Sequence, residues 1–322
     1  MSRLADAASW ASRHRRLLGA AQLIVLVVFF ASLAWALRGS ARGAWHDLEH
    51  ANVVLFALGC AALATYYLVF VLGWIWILNE WDVQLTYPVA LRAEMISMLA
   101  KYIPGGIWAP AARVVAARRA GITDTALVTS SMLLEAGLSA VAGVIVFVVS
   151  LPFVDDVHAP LWPLVAFGAV LAILVQPRVF RPIAGWVLRR FGSRQELPEM
   201  RGQTISGLLV FYAGTWIIGG FALWLLLRSV GGHPEVATIV YLGGVAAVGA
   251  IVAVVFLFAP SGLGPREASM YGLMLAVATP GQALGAVALN RVALTLVELL
   301  VLVIGGLFLR GAEREPAELP ST

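Results

Sequence analysis

Residues 52–78, 205–227 and 237–258 contain no charged side chain. Each stretch exceeds or matches the ~20 residues a helix needs to cross the hydrocarbon core of a bilayer. Inside lipid every backbone amide and carbonyl must be satisfied within the protein, so a spanning segment is a helix or part of a closed barrel. Continuous apolar runs of this length, without strict alternation, are the helical solution. Composition agrees. Hydrophobic residues make up 61% and charged residues 12% of the chain, against roughly 25% charged in a soluble domain. The chain is read as an all-α, polytopic integral membrane bundle of about eight spans with broken or re-entrant helices.

The spans are expected near 17–37, 52–78, 123–150, 161–175, 205–227, 237–258, 265–279 and 283–309, with a re-entrant element at 88–120. Together they form one transmembrane domain over 17–310. Residues 1–16 are polar, end in Arg13-His14-Arg15-Arg16, and are expected to be cytoplasmic by the positive-inside rule. The apolar run after them is too long for the core of a cleaved signal peptide. Asp155, Asp156 and His158 mark an external loop. Arg178, Arg181, Arg189, Arg190, Arg194 and Arg201 mark a cytoplasmic one, expected as a plain solvated loop rather than a helix on the membrane surface. The C-terminus is expected in the cytoplasm, with 311–322 a disordered tail.

The stretch 99–122, LAKYIPGGIWAPAARVVAARRAGI, cannot be one helix. Pro104-Gly105-Gly106 interrupts it, because proline lacks an amide donor and glycine weakens a helix. Pro110 suits the first turn of a new helix and Gly121 its C-cap. Thr123 or Asp124 can cap the helix after that. Lys101, the only lysine in the chain, precedes the break and Arg113 follows it. A second break runs from Ala259 through Pro260-Ser261-Gly262-Leu263-Gly264-Pro265 to Arg266-Glu267. The order span, span, Pro/Gly break with a basic residue thus occurs twice, a weak repeat of the kind found in transporters with discontinuous helices.

Helix N-termini near Pro110 and Pro265 present free amides and a positive dipole end, which attract anions. Lys101, Arg113 and Arg266 add formal charge, and arginine suits bidentate phosphate contact. Gly105, Gly106, Gly262 and Gly264 allow close backbone approach, and Glu267 sits beside Arg266. These eight residues form the candidate lipid phosphate or headgroup site. The alternative stays open that each break is an interfacial turn whose arginine snorkels to headgroups.

Glu135, Arg291 and Glu298 are the remaining charges inside spans. They are read either as a polar pathway with proton coupling or as structural ion pairs, for example Glu135 with Arg291. Arg291 and Glu298 lie seven residues apart, about 10 Å along one helix, so each needs a partner elsewhere. No nucleophile–base pair, metal-spaced cluster or nucleotide loop is visible. The single cysteine, Cys60, excludes an intrachain disulfide. Net charge is +4, which suits an anionic membrane surface. No clustered soluble basic face for nucleic acid is found.

The two breaks resemble the lysylphosphatidylglycerol synthase transmembrane family, also described as flippase-like. The resemblance rests on Lys101-Tyr102-Ile103-Pro104-Gly105-Gly106-Ile107-Trp108 with Arg113 and Gly121, and on Pro260-Ser261-Gly262-Leu263-Gly264-Pro265-Arg266-Glu267. It covers roughly the first span to the last. It implies movement of an anionic phospholipid or a lipid-linked saccharide between leaflets. The implied partners are an anionic lipid or polyprenyl-phosphate-linked glycan, the bilayer itself and, for some members, a glycosyltransferase. Full synthases of this family add a large soluble aminoacyl-transfer domain. These 322 residues hold none, so the expectation is a stand-alone membrane part that is not itself a lysyltransferase.

The leading reading is therefore a translocase without a cofactor, in a bacterial cytoplasmic membrane. Two others stand beside it. One is a membrane enzyme acting on a lipid phosphate, with Glu267 or Glu135 as base. The other is a non-catalytic partner that anchors a glycosyltransferase through 178–201.

Overall fold

The computed structural model describes residues 48–100, 108–119, 121–122, 124–154, 162–190, 197–256, 259 and 262–312. The expected first span at 17–37, Lys101, the Pro104-Gly105-Gly106 break, Asp155, Asp156 and the tail from 313 lie outside them. The described residues form ten α-helices: α1 (Val53–Glu80), α2 (Tyr87–Ala100), α3 (Trp108–Arg119), α4 (Thr125–Ser150), α5 (Trp162–Leu174), α6 (Pro177–Arg190), α7 (Gly202–Ser229), α8 (Thr238–Val255), α9 (Pro265–Met274) and α10 (Pro280–Ala312). A single 3₁₀ turn, Leu151–Phe153, extends α4. The chain is an all-α membrane bundle.

Local chemistry sets the helix ends. The Asn52 side chain accepts hydrogen bonds from the amides of Val54 and Leu55 at 3.0 and 3.1 Å, and Asp124 does the same for Ala126 and Leu127 at 3.0 Å each. Both satisfy amides that the first helical turn leaves free. The Asn52 amide also donates to the Ser229 carbonyl at 2.8 Å, tying the start of α1 to the end of α7. Gly121 closes α3 at φ 90°, the left-handed conformation a glycine C-cap takes.

Among the described residues five helices are long and apolar enough to cross a membrane: α1, α4 with its 3₁₀ turn, α7, α8 and α10. A sixth span arises only if α5 and α6, bent 78° at their junction, count as one. α5 alone has 13 residues, about 20 Å of helix. α9 has 10 residues, about 15 Å, roughly half the hydrocarbon thickness. The segment expected as a seventh span at 265–279 is thus a short helix followed by turns.

The basic segment also differs from its expected form. Residues 177–190 are a helix, not a loop. Phe180 and Ala184, four residues apart, pack with Ala126 of α4 and with Leu197. Arg181 donates through Nε to the Leu197 carbonyl at 3.1 Å and pairs with Glu199. Burial of Ala184 and half-burial of Phe180 hold this helix against the protein, while Arg178 stays exposed.

The bundle is centred on α1, α4, α7 and α8. Glycines permit their close approach, as is usual where lipid removes the hydrophobic drive between helices. On Gly243 of α8 a Cβ would stand 2.6 Å from the Trp216 carbonyl oxygen of α7. On Gly244 it would meet the Phe147 backbone of α4 at 2.5 Å. On Gly220 it would collide with the backbone of Ile239 and Gly243. Gly243→Val should therefore lower thermal stability in detergent by about 1–3 kcal/mol or more through overpacking. Gly214→Ala is the control: nothing lies within 4 Å of the added methyl, and its melting temperature should stay level or rise slightly.

Candidate functional site

Arg113 projects from α3 into the protein and is only 5% exposed. An unpaired guanidinium at this depth would be strongly unfavourable. It is paired twice through one nitrogen. Nη1 lies 2.6 Å from Glu135 Oε2 of α4 and 3.0 Å from Glu94 Oε2 of α2. Its plane sits over the Trp74 ring of α1, with Cζ 3.9 Å from the ring centroid, a cation–π contact. Trp74 is held in turn: its Nε1 donates to Ser131 Oγ at 2.9 Å, and that hydroxyl donates to the Val128 carbonyl at 2.8 Å. Tyr212 of α7 reaches the other Glu135 oxygen at 3.5 Å. Arg113 Nε and Nη2 are buried and have no hydrogen-bond partner among the described residues.

The second break builds a different cluster. Gly262 and Gly264 adopt φ 66° and 97°, the left-handed region where only glycine is unstrained. Pro265 then opens α9. The expected anion site at this helix start already holds a carboxylate: Glu267 Oε2 accepts the Gly264 amide at 2.6 Å. Its other oxygen pairs with Arg291 Nη1 of α10 at 3.3 Å. Glu298, 4% exposed, accepts the Tyr67 hydroxyl of α1 at 2.6 Å. Arg266 Nε is buried without a hydrogen-bond partner among the described residues.

Glu135 therefore takes Arg113 rather than Arg291, and Arg291 takes Glu267. The reason is spatial. α4 faces α3 and α7 at the level of Glu135, while α9 and α10 face each other at Arg291. Glu267 and Glu135, offered as bases for an enzyme, are both engaged by arginines. Lys101, Gly105 and Gly106 lie outside the described residues.

The two clusters are connected through α1. Arg266, Glu94 and Glu135 all lie within electrostatic reach of the Tyr66 hydroxyl. Tyr67 interacts with both Glu298 and Arg266. The Tyr66 ring is framed by Tyr67, Phe70 and Trp216 at centroid distances of 5.5, 5.6 and 5.9 Å. Tyr66, Tyr67 and Tyr212 were not among the residues singled out from sequence, and Trp74, which the sequence suggests as part of an interfacial belt with Trp76 and Trp81, is instead fully buried against Arg113. Their signal is faint: a hydroxyl or indole inside an apolar span, where aromatic residues are common for packing alone.

The model of the lysylphosphatidylglycerol synthase TM region matches residues 19–305, so both clusters fall inside the match. The chain belongs to the lysylphosphatidylglycerol synthase TM region family. Membership makes it a multi-pass membrane protein linked to lipid metabolism or translocation. No curated protein matches the chain.

A cleft of about 700 Å³ lies between α4, α5, α6 and α7. Val141, Ile145 and Leu209 form apolar walls, and Arg178, Arg181 and Glu199 line it as well. Val141 is six residues beyond Glu135 on α4, about 9 Å along the helix.

The pairing of Arg113 changes what its removal does. Arg113→Gln leaves two buried carboxylates facing each other and should destabilise the protein by about 3–5 kcal/mol. The triple variant Arg113→Gln, Glu94→Gln, Glu135→Gln removes the stranded charge and should recover most of that loss. Thermal melting in detergent reads both; equal loss in the two variants would mean that the ion pairs do not hold α2, α3 and α4 together.

Proposed function

We propose that the chain carries the charged head group of an anionic phospholipid, or of a lipid-linked saccharide, between bilayer leaflets. The observation that carries this reading is a series of polar side chains, three buried and four half-buried, in an otherwise apolar bundle. It runs from Glu94, Arg113 and Glu135 past Tyr66 to Arg266, Tyr67 and Glu298. Ionisable groups at membrane depth mark a pathway by default. Two arginines in this line keep buried N–H groups unused, and arginine is the side chain best shaped for phosphate oxygens. Family membership supports a lipid as the cargo. The cleft beside α6 supports it further, since apolar walls and arginines along one groove suit a tail and a head group.

In this reading the tails stay in lipid while the head group follows the polar line. The N-terminus, the α6 region and the C-terminus face a bacterial cytoplasm. The glycines and arginines of both breaks, with Lys101 from the first, form the headgroup site. The driving force comes from a gradient or the membrane potential.

The test is transfer in liposomes of phosphatidylcholine carrying nitrobenzoxadiazole-labelled phosphatidylglycerol. Dithionite added outside should bleach label from both leaflets when the protein is present, and from the outer leaflet alone when it is absent. Bleaching of the outer leaflet alone in both cases would reject the translocase reading. A chemically altered lipid would favour the enzyme. Arg266→Gln removes a charge whose Nε has no hydrogen-bond partner among the described residues, so it should fold normally. It should weaken phosphatidylglycerol binding by about ten-fold or more, the worth of one charge-assisted contact.

A further inference from the structure

The Arg113 cluster is unbalanced. α2 contributes Glu94, α3 contributes Arg113 and α4 contributes Glu135. α1 faces them with Trp74 and Tyr66, and α7 with Tyr212, none of which is charged. Two carboxylates thus face one guanidinium among the described residues. The second cluster has no such excess, because Arg266 and Arg291 stand against Glu267 and Glu298.

The way Arg113 is used matters as much as the count. Arginine usually meets a carboxylate through two parallel N–H bonds. Here a single nitrogen, Nη1, serves both glutamates, and the edge formed by Nε and Nη2 is buried with no partner. That edge is a fork ready for an oxyanion. An oxyanion placed there would face two carboxylates sharing the same guanidinium, in surroundings where charges interact more strongly than in water.

We propose that an oxyanion binds this edge of Arg113 together with one proton, taken up by the Glu94–Glu135 pair, so that anionic cargo and proton move together. This rests on the reading of Arg113 as part of the headgroup site. The proton comes from the aqueous side that delivers the anion and resides on a carboxylate oxygen that Arg113 releases. Anion and proton each raise the other's affinity by the same factor, as linkage between two ligands requires.

The experiment is calorimetry on the full chain in detergent with dihexanoyl phosphatidylglycerol, whose phosphodiester does not titrate near neutral pH. Measuring the binding heat in buffers of different ionisation enthalpy counts the protons exchanged. The wild-type protein should take up about one proton per lipid, and its affinity should fall by up to about ten-fold per unit rise in pH. Glu94→Gln removes the excess charge while keeping a hydrogen-bonding side chain. It should bind the same lipid with almost no proton uptake and little pH dependence. Glu135→Gln serves as the second variant and should behave alike. Wild-type binding without proton uptake would overturn the proposal and leave the anion site intact, as would unchanged uptake in both variants. Absence of binding in every protein would instead overturn the anion-site reading, and the proton coupling with it.

Discussion

A guanidinium inside a bilayer must have anionic company, and the way Arg113 finds it organises half of this molecule. α2 and α3 are too short to cross a membrane, with 14 and 12 residues. Both bury small apolar residues, Ala90 and Ala93 from α2 and Ala117 from α3, in one cluster with Trp74 and Val128. Arg113 ties them in. It draws Glu94 from α2 and Glu135 from α4 onto one nitrogen and places its Cζ over the Trp74 ring of α1. One side chain thereby joins four helices. A buried ion pair is weak support for stability when compared with an apolar replacement, yet breaking one is costly. The cluster is therefore better understood as fixing where these two short helices sit than as supplying net stabilisation.

The polar line depends in turn on small residues. Tyr212 reaches Glu135 only because α7 lies close to α1 and α4, and Gly73 leaves room for the Tyr212 ring. Trp216, one turn further along α7, donates its indole N–H to the Ser139 carbonyl at 2.8 Å. Gly143 makes space beside the same indole. Close helix packing and the placement of hydroxyls at membrane depth are thus one problem solved by the same residues. In lipid, where apolar side chains gain little by meeting each other rather than solvent, this is the expected way to specify neighbours.

Much of the architecture was legible in the sequence. Charge-free runs longer than ~20 residues admit few structures, and Asp124 and Gly121 announced helix ends by their chemistry. Partner choice was not legible. Glu135 could have met Arg291 or Arg113, and only the packing of α3 against α4 decides between them. Glu267 was read as a neighbour of Arg266 in an anion site. Its place at the third residue of α9 instead lets it cap the Gly264 amide while holding Arg291, a local geometry that spacing permits but does not require. The helix at 177–190 was hidden by its arginines. Their density suggested solvent, while Phe180 and Ala184 carried the four-residue spacing that turns one face toward α4.

The two breaks look alike in sequence and differ in electrostatics. Each places proline and glycine before an arginine, and each arginine ends beside acidic side chains. In the first, Arg113 is outnumbered by carboxylates and lies almost wholly buried. In the second, Glu267 is shared between a helix start and Arg291, and Arg266 keeps a buried Nε–H without a hydrogen-bond partner among the described residues. A repeated pattern of broken helices therefore does not make two equivalent sites. On the translocase reading this inequality is useful, because a path between two identical sites has no preferred direction, whereas one excess carboxylate makes the occupancy of one end depend on a second ion. Tyr66 has its hydroxyl within electrostatic reach of charges from both clusters. It is neutral, framed by aromatic rings, and carries a hydroxyl that can accept from an arginine or donate to a carboxylate or phosphate. On the translocase reading, a head group leaving either arginine for the other would pass a neutral hydrogen-bonding group rather than a third fixed charge, and so would not be held midway.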